Sequence, residues 1–167
     1  MDSIQKQSLP VAIIGGGPVG IAAAAHLVKK GEKFVLFEAG NTVGSSTLKW
    51  GHVRMFSPWQ YNIDSTAKEL LSNTEWTSPD EEALPTGREL VEKYLLPLSN
   101  LPGIKEHILT NAKVVGVAKK GHDKLKTEQR ENVPFQVYVE IDGDTKVFEA
   151  KAVIDSSGTW ENPNPML

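Results

Sequence analysis

The sequence has no cysteine, which excludes disulfides, thiolate metal sites and a cysteine nucleophile within it. It also lacks an excess of either charge, since 18 basic and 21 acidic residues leave a net charge of −3. So weak a field offers no electrostatic grip on nucleic acid or an anionic membrane surface, although a small anionic ligand needs only local donors. Long hydrophobic runs are missing too. The longest, Ile21 to Val28, is interrupted by His26 and falls far short of the ~20 residues that cross a bilayer. The start, Met1 to Gln7, is polar and has none of the basic-then-apolar order of a secretory signal. A cytoplasmic protein without nucleic-acid or membrane partners is therefore expected. His52, His107 and His122 show no ligand spacing, so no metal site is expected, and His26 reads as a surface or packing histidine.

What is present is globular. Hydrophobic residues make up 40% and charged residues 23% of the chain, near the average for folded domains. A length of 167 residues suits one domain, 1–167, able to bury roughly two-thirds of its unfolded surface.

The apolar run Pro10 to Ile14 reads as a buried parallel strand. Pro18 to Lys30 carries Ile21, Ala24, Ala25 and Val28 on one face and predicts a helix closed by Gly31. Lys33 to Phe37 is a second buried strand. Strand, helix and strand within about 30 residues form a βαβ unit, whose crossover is right-handed. Between Ala39 and Ile63 periodicity disappears, and the stretch reads as a long loop. Asp64 can cap a helix running to about Ser72. Thr86 and Glu89 have the spacing of a capping box opening a helix to about Leu98. Lys113 to Ala118, Phe135 to Ile141 and Lys146 to Ala150 alternate and are β-branched, with Gly143 in a tight turn. They predict a three-stranded antiparallel meander. Gly121 to Asn132 reads as a solvated connection, and Ala152 to Asp155 as a returning apolar strand.

The most specific motif is Gly15-Gly16-Gly17-Pro18-Val19-Gly20, a G-x-G-x-x-G that leaves a strand and opens a helix, with Glu38 and Ala39 at the end of the next strand. Each position has a task. Gly15 makes the sharp turn, Gly17 lets the backbone approach a diphosphate, and Gly20 lets helix and strand pack closely. The positive end of the helix dipole attracts the anion. Glu38 accepts from ribose hydroxyls and would repel a 2′-phosphate, which disfavours NADP at this site. The fingerprint alone serves FAD and NAD equally. Its extreme N-terminal position, the meander and the late strand ending in Asp155-Ser156-Ser157-Gly158 favour FAD.

With these residues the chain resembles flavin-containing monooxygenases and related pyridine-nucleotide-dependent flavoproteins, over nearly its whole length. The resemblance rests on GGGPVG with Glu38, the Gly44 loop, and the turn before TWENPNP. It implies an α/β, Rossmann-like FAD-binding fold with a parallel sheet, helices and a β-meander. It further implies that Gly44, Ser45 and Ser46 lie beside the FAD diphosphate and ribityl chain, that backbone near Val114 meets adenine, and that the turn Ser156-Ser157-Gly158 lies near FAD and the domain junction. NAD(P)H would bind a domain beginning shortly after residue 167, making this chain an N-terminal part. Ser45 departs from the family, where a second glycine is common, and Ser156-Ser157 replace Ala-Thr.

Three functions follow as expectations. The first is an NAD(P)H-dependent oxidoreductase of monooxygenase type, acting on a small organic substrate, with the fragment alone inactive. The second is a thioredoxin-reductase-like enzyme, whose redox cysteines would lie in the other domain. The third is a non-catalytic nucleotide-binding module. No catalytic acid or base can be named. The loop His52 to Asn62 admits two readings: Arg54 and the aromatics flank the flavin ring or an anionic substrate, or they merely cover the core. Asn62 is the candidate for the family's flavin-facing asparagine.

Overall fold

The computed structural model describes residues 7–122, 128 and 130–160. Part of the connection expected over 121–132, and the tail after Trp160, lie outside them.

The βαβ unit forms as expected. β1 (Val11–Ile14) and β2 (Phe34–Phe37) pair in parallel, joined by α1 (Pro18–Lys29). Pro18 occupies the first turn of α1, where its missing N–H costs nothing. At the other end Gly31 takes φ +66°. Its N–H reaches Val28 O at 3.0 Å and that of Glu32 reaches Leu27 O at 2.9 Å, the pair of bonds that closes a helix through a left-handed residue.

β7 (Ala152–Asp155) returns alongside β1, and the short β3 (Ile108–Leu109) extends the sheet beyond β2, giving the order β3-β2-β1-β7. All neighbours are parallel. β3 had no counterpart in the sequence reading, because two residues are too few to show any period. β4 (Lys113–Lys119), β5 (Phe135–Ile141) and β6 (Asp144–Ala150) form a separate antiparallel sheet. Asp142 at φ 54° and Gly143 at φ 84° supply the two left-handed residues that a tight hairpin needs.

The parallel sheet is covered on both faces, which is why its strands read as unbroken apolar runs. Val11, Ile13 and Leu36 join a core with Ile21 and Ala25 of the helical layer. Ala12 and Phe37 point the other way and pack with Val137, Val139 and Ala150 of the meander. Phe37 meets Phe148 edge-on, with centroids 4.9 Å apart. Each buried Val, Leu, Ile or Phe side chain among these contributes roughly 1.5–3 kcal/mol.

Two short helices interrupt the stretch read as a loop, α2 (Ser45–Lys49) and α3 (Trp59–Asn62). They are single turns held by tertiary contacts and too short for a periodic signal. α4 (Ser65–Ser72) follows, its N-cap Asp64 accepting from the Ala67 N–H at 3.0 Å. The Thr86–Glu89 capping box has both halves in place and opens α5 (Gly87–Leu90). This helix passes through a π-helical turn, Val91–Leu95, into α6 (Leu96–Ser99). Pro97 explains the widening. Lacking an N–H, it cannot bond Lys93 O, and its ring crowds that carbonyl. The Trp76 indole donates to Lys93 O instead, at 2.7 Å.

Candidate functional site: the glycine turn between two layers

The turn after β1 sits where α1, β2 and β7 converge. Gly15 has φ +96°, and a Cβ there would lie 2.8 Å from Ser156 O and 2.9 Å from Ser157 Cα. Conformation and space both require glycine. Its N–H is held by Phe37 O at 2.8 Å. Gly20 is constrained more severely, because a Cβ would lie 1.9 Å from Gly15 O; α1 rests directly on the turn. Gly17 is the opposite case. A Cβ built on it meets nothing within 4 Å, so its surface faces open space. The first bond of the helical ladder runs from the Ile21 N–H to Gly17 O at 3.0 Å, leaving the earlier amides of the turn outside that ladder.

That open space is a cavity of about 440 Å³, within the range of cofactor clefts. Of the residues that the fingerprint and the resemblance assign to the cofactor, all border it except Gly16 and Gly20; Asn62, the candidate flavin-facing asparagine, does not border it either. Gly15, Gly17, Pro18 and Val19 line one side, and Glu38, Ala39, Gly44, Ser45 and Ser46 another. Val114, Ser157 and Gly158 complete the rim. Among the described residues, the charged side chains on the lining are Glu38 and Lys113. An anion held here therefore depends chiefly on backbone amides and the helix dipole.

Glu38 is buried, 7% exposed, and faces the turn. Its Oε2 accepts from the Gly16 N–H at 2.7 Å. Its Oε1 accepts from the Gly40 N–H and the Ser45 hydroxyl, each at 2.7 Å. The backbone is fixed as firmly. Its N–H reaches Leu109 O at 2.8 Å and its carbonyl accepts from the Ala112 N–H at 2.9 Å, so the unforeseen β3 clamps the acid in place. The Gly44 N–H donates to Gly16 O at 2.9 Å, tying the loop to the turn. Gly44 has φ +69°, and a Cβ would lie 2.7 Å from Val91 Cγ2.

Ser156, quoted in the late motif but not assigned a binding role, proves central. Its N–H and hydroxyl both reach Ile14 O, at 2.9 and 2.8 Å, and the hydroxyl lies 3.2 Å from Gly15 O. The Ser157 hydroxyl and N–H both turn back to Asp155 Oδ1, at 2.7 and 3.0 Å. Those bonds, the hydroxyl's first, hold the Asp155 carboxyl below the usual carboxylate range. Thr47, Ala112, Lys113, Thr159 and Trp160 also line the cavity and were missed. Ala112 and Lys113 follow Asn111, whose left-handed φ of 51° turns the chain toward the site; no local motif announces that turn.

The loop His52 to Asn62 lies elsewhere, and none of it lines this cavity. Arg54 donates to Leu84 O at 2.5 Å and borders a second depression of about 450 Å³ with Trp59 and Lys93. Trp59 is buried in the core, whereas Phe56 is 98% and Tyr61 76% exposed. Asn62 spends its amide inside the loop, donating to Ser57 O and Pro58 O at 2.8 and 2.9 Å and accepting from the Ser57 hydroxyl at 2.9 Å. It does not line the glycine-turn cavity. Among the described residues no group of three or more His, Asp or Glu side chains is placed to hold a metal ion.

Comparison with known proteins agrees with this architecture. The chain is 24% identical to a bacillithiol disulfide reductase from Bacillus cereus, whose structure superposes with a TM-score of 0.70 over 95% of this chain and 42% of that one. The structure of OTEMO in complex with FAD and NADP superposes with a TM-score of 0.64 at 19% identity, over 92% of this chain and 26% of that one. An NADP-bound steroid monooxygenase gives 0.66 at 18% identity, over 90% and 26%. At these identities the likeness is one of fold. Among curated relatives, the thiamine thiazole synthase of Thermococcus kodakarensis is 34% identical over 70 residues, 42% of this chain and 26% of the synthase. That of Desulfosudis oleivorans is 25% identical over 124 residues, 68% of this chain and 46% of the synthase. The chain thus spans less than half the length of each of these proteins. The family profile described as pyridine nucleotide-disulphide oxidoreductase matches residues 12–167, almost the whole chain, and the chain belongs to that family.

Proposed function

We propose that this chain is the FAD-binding part of an NAD(P)H-dependent flavoprotein oxidoreductase of monooxygenase type, acting on a small organic substrate. The observation that carries the reading is the open space beside Gly17, at the start of a 12-residue helix and in the same cavity as Glu38. A diphosphate needs close backbone approach and a positive dipole end, and that space is what any side chain at position 17 would fill. The residues fit the ADP half of FAD. Gly17, Pro18 and Val19 would face the diphosphate, Glu38 a ribose hydroxyl, Val114 the adenine, and Ser45, Ser46 and Gly158 the chain beyond. FAD held by these residues would supply the redox chemistry, electron transfer from NAD(P)H to oxygen or substrate. The protein orients it and excludes water.

No second G-x-G-x-x-G occurs in the 167 residues, so we assign the NAD(P)H site to a domain outside this sequence. A disulfide-reductase reading is the alternative, favoured by the larger TM-score of the bacillithiol disulfide reductase. It requires the redox cysteines to lie outside this cysteine-free sequence. No helix among the described residues is long and apolar enough to cross a membrane.

Titration of the purified chain with FAD, followed by flavin fluorescence, tests the cofactor. The expected result is a stoichiometric yellow complex that NADPH does not bleach. Failure to retain FAD overturns the cofactor reading, and bleaching by the chain alone overturns the placement of the NAD(P)H site. In the full-length protein, NADPH oxidation that needs oxygen and an organic substrate supports the monooxygenase, whereas oxidation driven by a disulfide supports the reductase.

A further inference from the structure

We propose that Ser45 is a positioning residue for Glu38, leaving that carboxylate one acceptor site with which to select a ribose hydroxyl. The inference rests on the dinucleotide reading above and deepens it. A carboxylate offers about four lone-pair sites. On Glu38 three are taken inside the protein. Oε1 receives the Gly40 N–H and the Ser45 hydroxyl, and Oε2 receives the Gly16 N–H, all at 2.7 Å. Oε1 is thus saturated and Oε2 retains a vacant site, on a residue that lines the cavity.

The packing around Ser45 shows that this contact is built in. A Cβ on Gly40 would lie 2.3 Å from Ser45 Oγ and 2.4 Å from its Cβ. Gly40 does not have a left-handed φ, so glycine is needed there for space alone, and the space is filled by Ser45. The serine stands where the resembling flavoproteins commonly have glycine, which can place no hydroxyl on the acid. With Oε1 occupied from two directions, the carboxylate cannot swing, and Oε2 stays on the Gly16 N–H. Without the hydroxyl the group regains rotational freedom and a second acceptor, and the directed grip on one sugar hydroxyl is lost.

The test compares ADP with 2′,3′-dideoxy-ADP, each bound to the chain and to its Ser45→Ala, Ser45→Cys and Gly40→Ala variants. Cysteine keeps the bulk of serine while offering only a weak donor, and alanine at position 40 displaces Ser45 without replacing it. In the parent chain the hydroxyl-bearing nucleotide should bind tighter by roughly tenfold, the contribution of one charge-assisted hydrogen bond. In all three variants that ratio should fall below about threefold, on the same scale. An undiminished ratio in the Ser45 variants overturns the positioning role and leaves the ribose grip standing. An equal loss of affinity for both nucleotides overturns it as well, because Ser45 would then only hold the fold. A ratio of one in the parent chain refutes Glu38 as the ribose partner, and the dinucleotide reading of the cavity falls with it.

Discussion

Gly17 and Gly20 lie three residues apart in one motif, yet their replacement by alanine should have opposite consequences. Gly17 is the N-cap of α1 with φ −78°, a conformation open to any residue, and its Cβ would meet nothing within 4 Å. Alanine is a poor N-cap, costing up to ~1 kcal/mol, while the reduced freedom of the unfolded chain returns about 0.4–1 kcal/mol. Stability should therefore change by less than about 1 kcal/mol, and Tm by no more than about 4 °C. Gly20 is different. A Cβ there would lie 1.9 Å from the backbone oxygen of Gly15, against 3.4 Å or more for ordinary contact, so helix and turn must separate by about 1.5 Å. Both partners are backbone and cannot rotate aside. Overpacking costs ~1–3 kcal/mol, and the upper end applies here, lowering Tm by roughly 6–12 °C. For FAD the order reverses. A methyl group at Gly17 holds the diphosphate off the turn and weakens about two charge-assisted hydrogen bonds, roughly 100-fold in Kd. Thermal melts by circular dichroism and FAD titrations of both variants check the pair. If Gly17→Ala binds FAD as tightly as the parent chain, no diphosphate approaches this turn and the reasoning is refuted.

Three further outcomes are expected. Glu89 is held down to about 2 by the Lys93 ammonium and by the Thr86 N–H. Because its folded value lies below the unfolded one, the stability it adds is present above pH ~4.5 and fades as pH falls toward 2. The Tm gap between parent and Glu89→Gln should shrink over that window, and a gap constant from pH 2 to 6 contradicts the assignment. Arg54→Ala should leave FAD affinity unchanged within twofold, since Arg54 serves Leu84 O outside the glycine-turn cavity; a tenfold loss in the same titration shows that the loop does reach the flavin. Gly44→Ala combines a left-handed φ with a 2.7 Å approach to Val91 and should lower stability by ~2–3 kcal/mol, read as a fall in denaturation midpoint.

The βαβ unit, the meander, the Asp64 cap and the capping box were legible because each is local. Apolar runs, a 3.6-residue face, a glycine after a helix and T-x-x-E all act over a few residues along the chain. The same holds for the glycine turn and Glu38, where chemistry and spacing coincide in one unit. β3 was not legible, because a two-residue strand exists only through its pairing with Leu36 and Phe37. Nor was the π-helical turn, which needs Trp76 to satisfy the carbonyl that Pro97 abandons. The aromatic loop admitted two readings for a related reason, since aromatic content cannot tell which rings enter the core.

By itself the sequence determined that a strand must turn sharply into a helix with an acid one strand away, because glycine, proline and hydrophobic period constrain the backbone wherever they occur. Only the tertiary structure decided which oxygen of Glu38 keeps a free acceptor site, that Ser45 and Gly40 close around the other, and that Ser156 reaches back across 141 residues to Gly15. Hydrogen-bond saturation and steric fit depend on positions in space, and the spacing of letters carries no record of them.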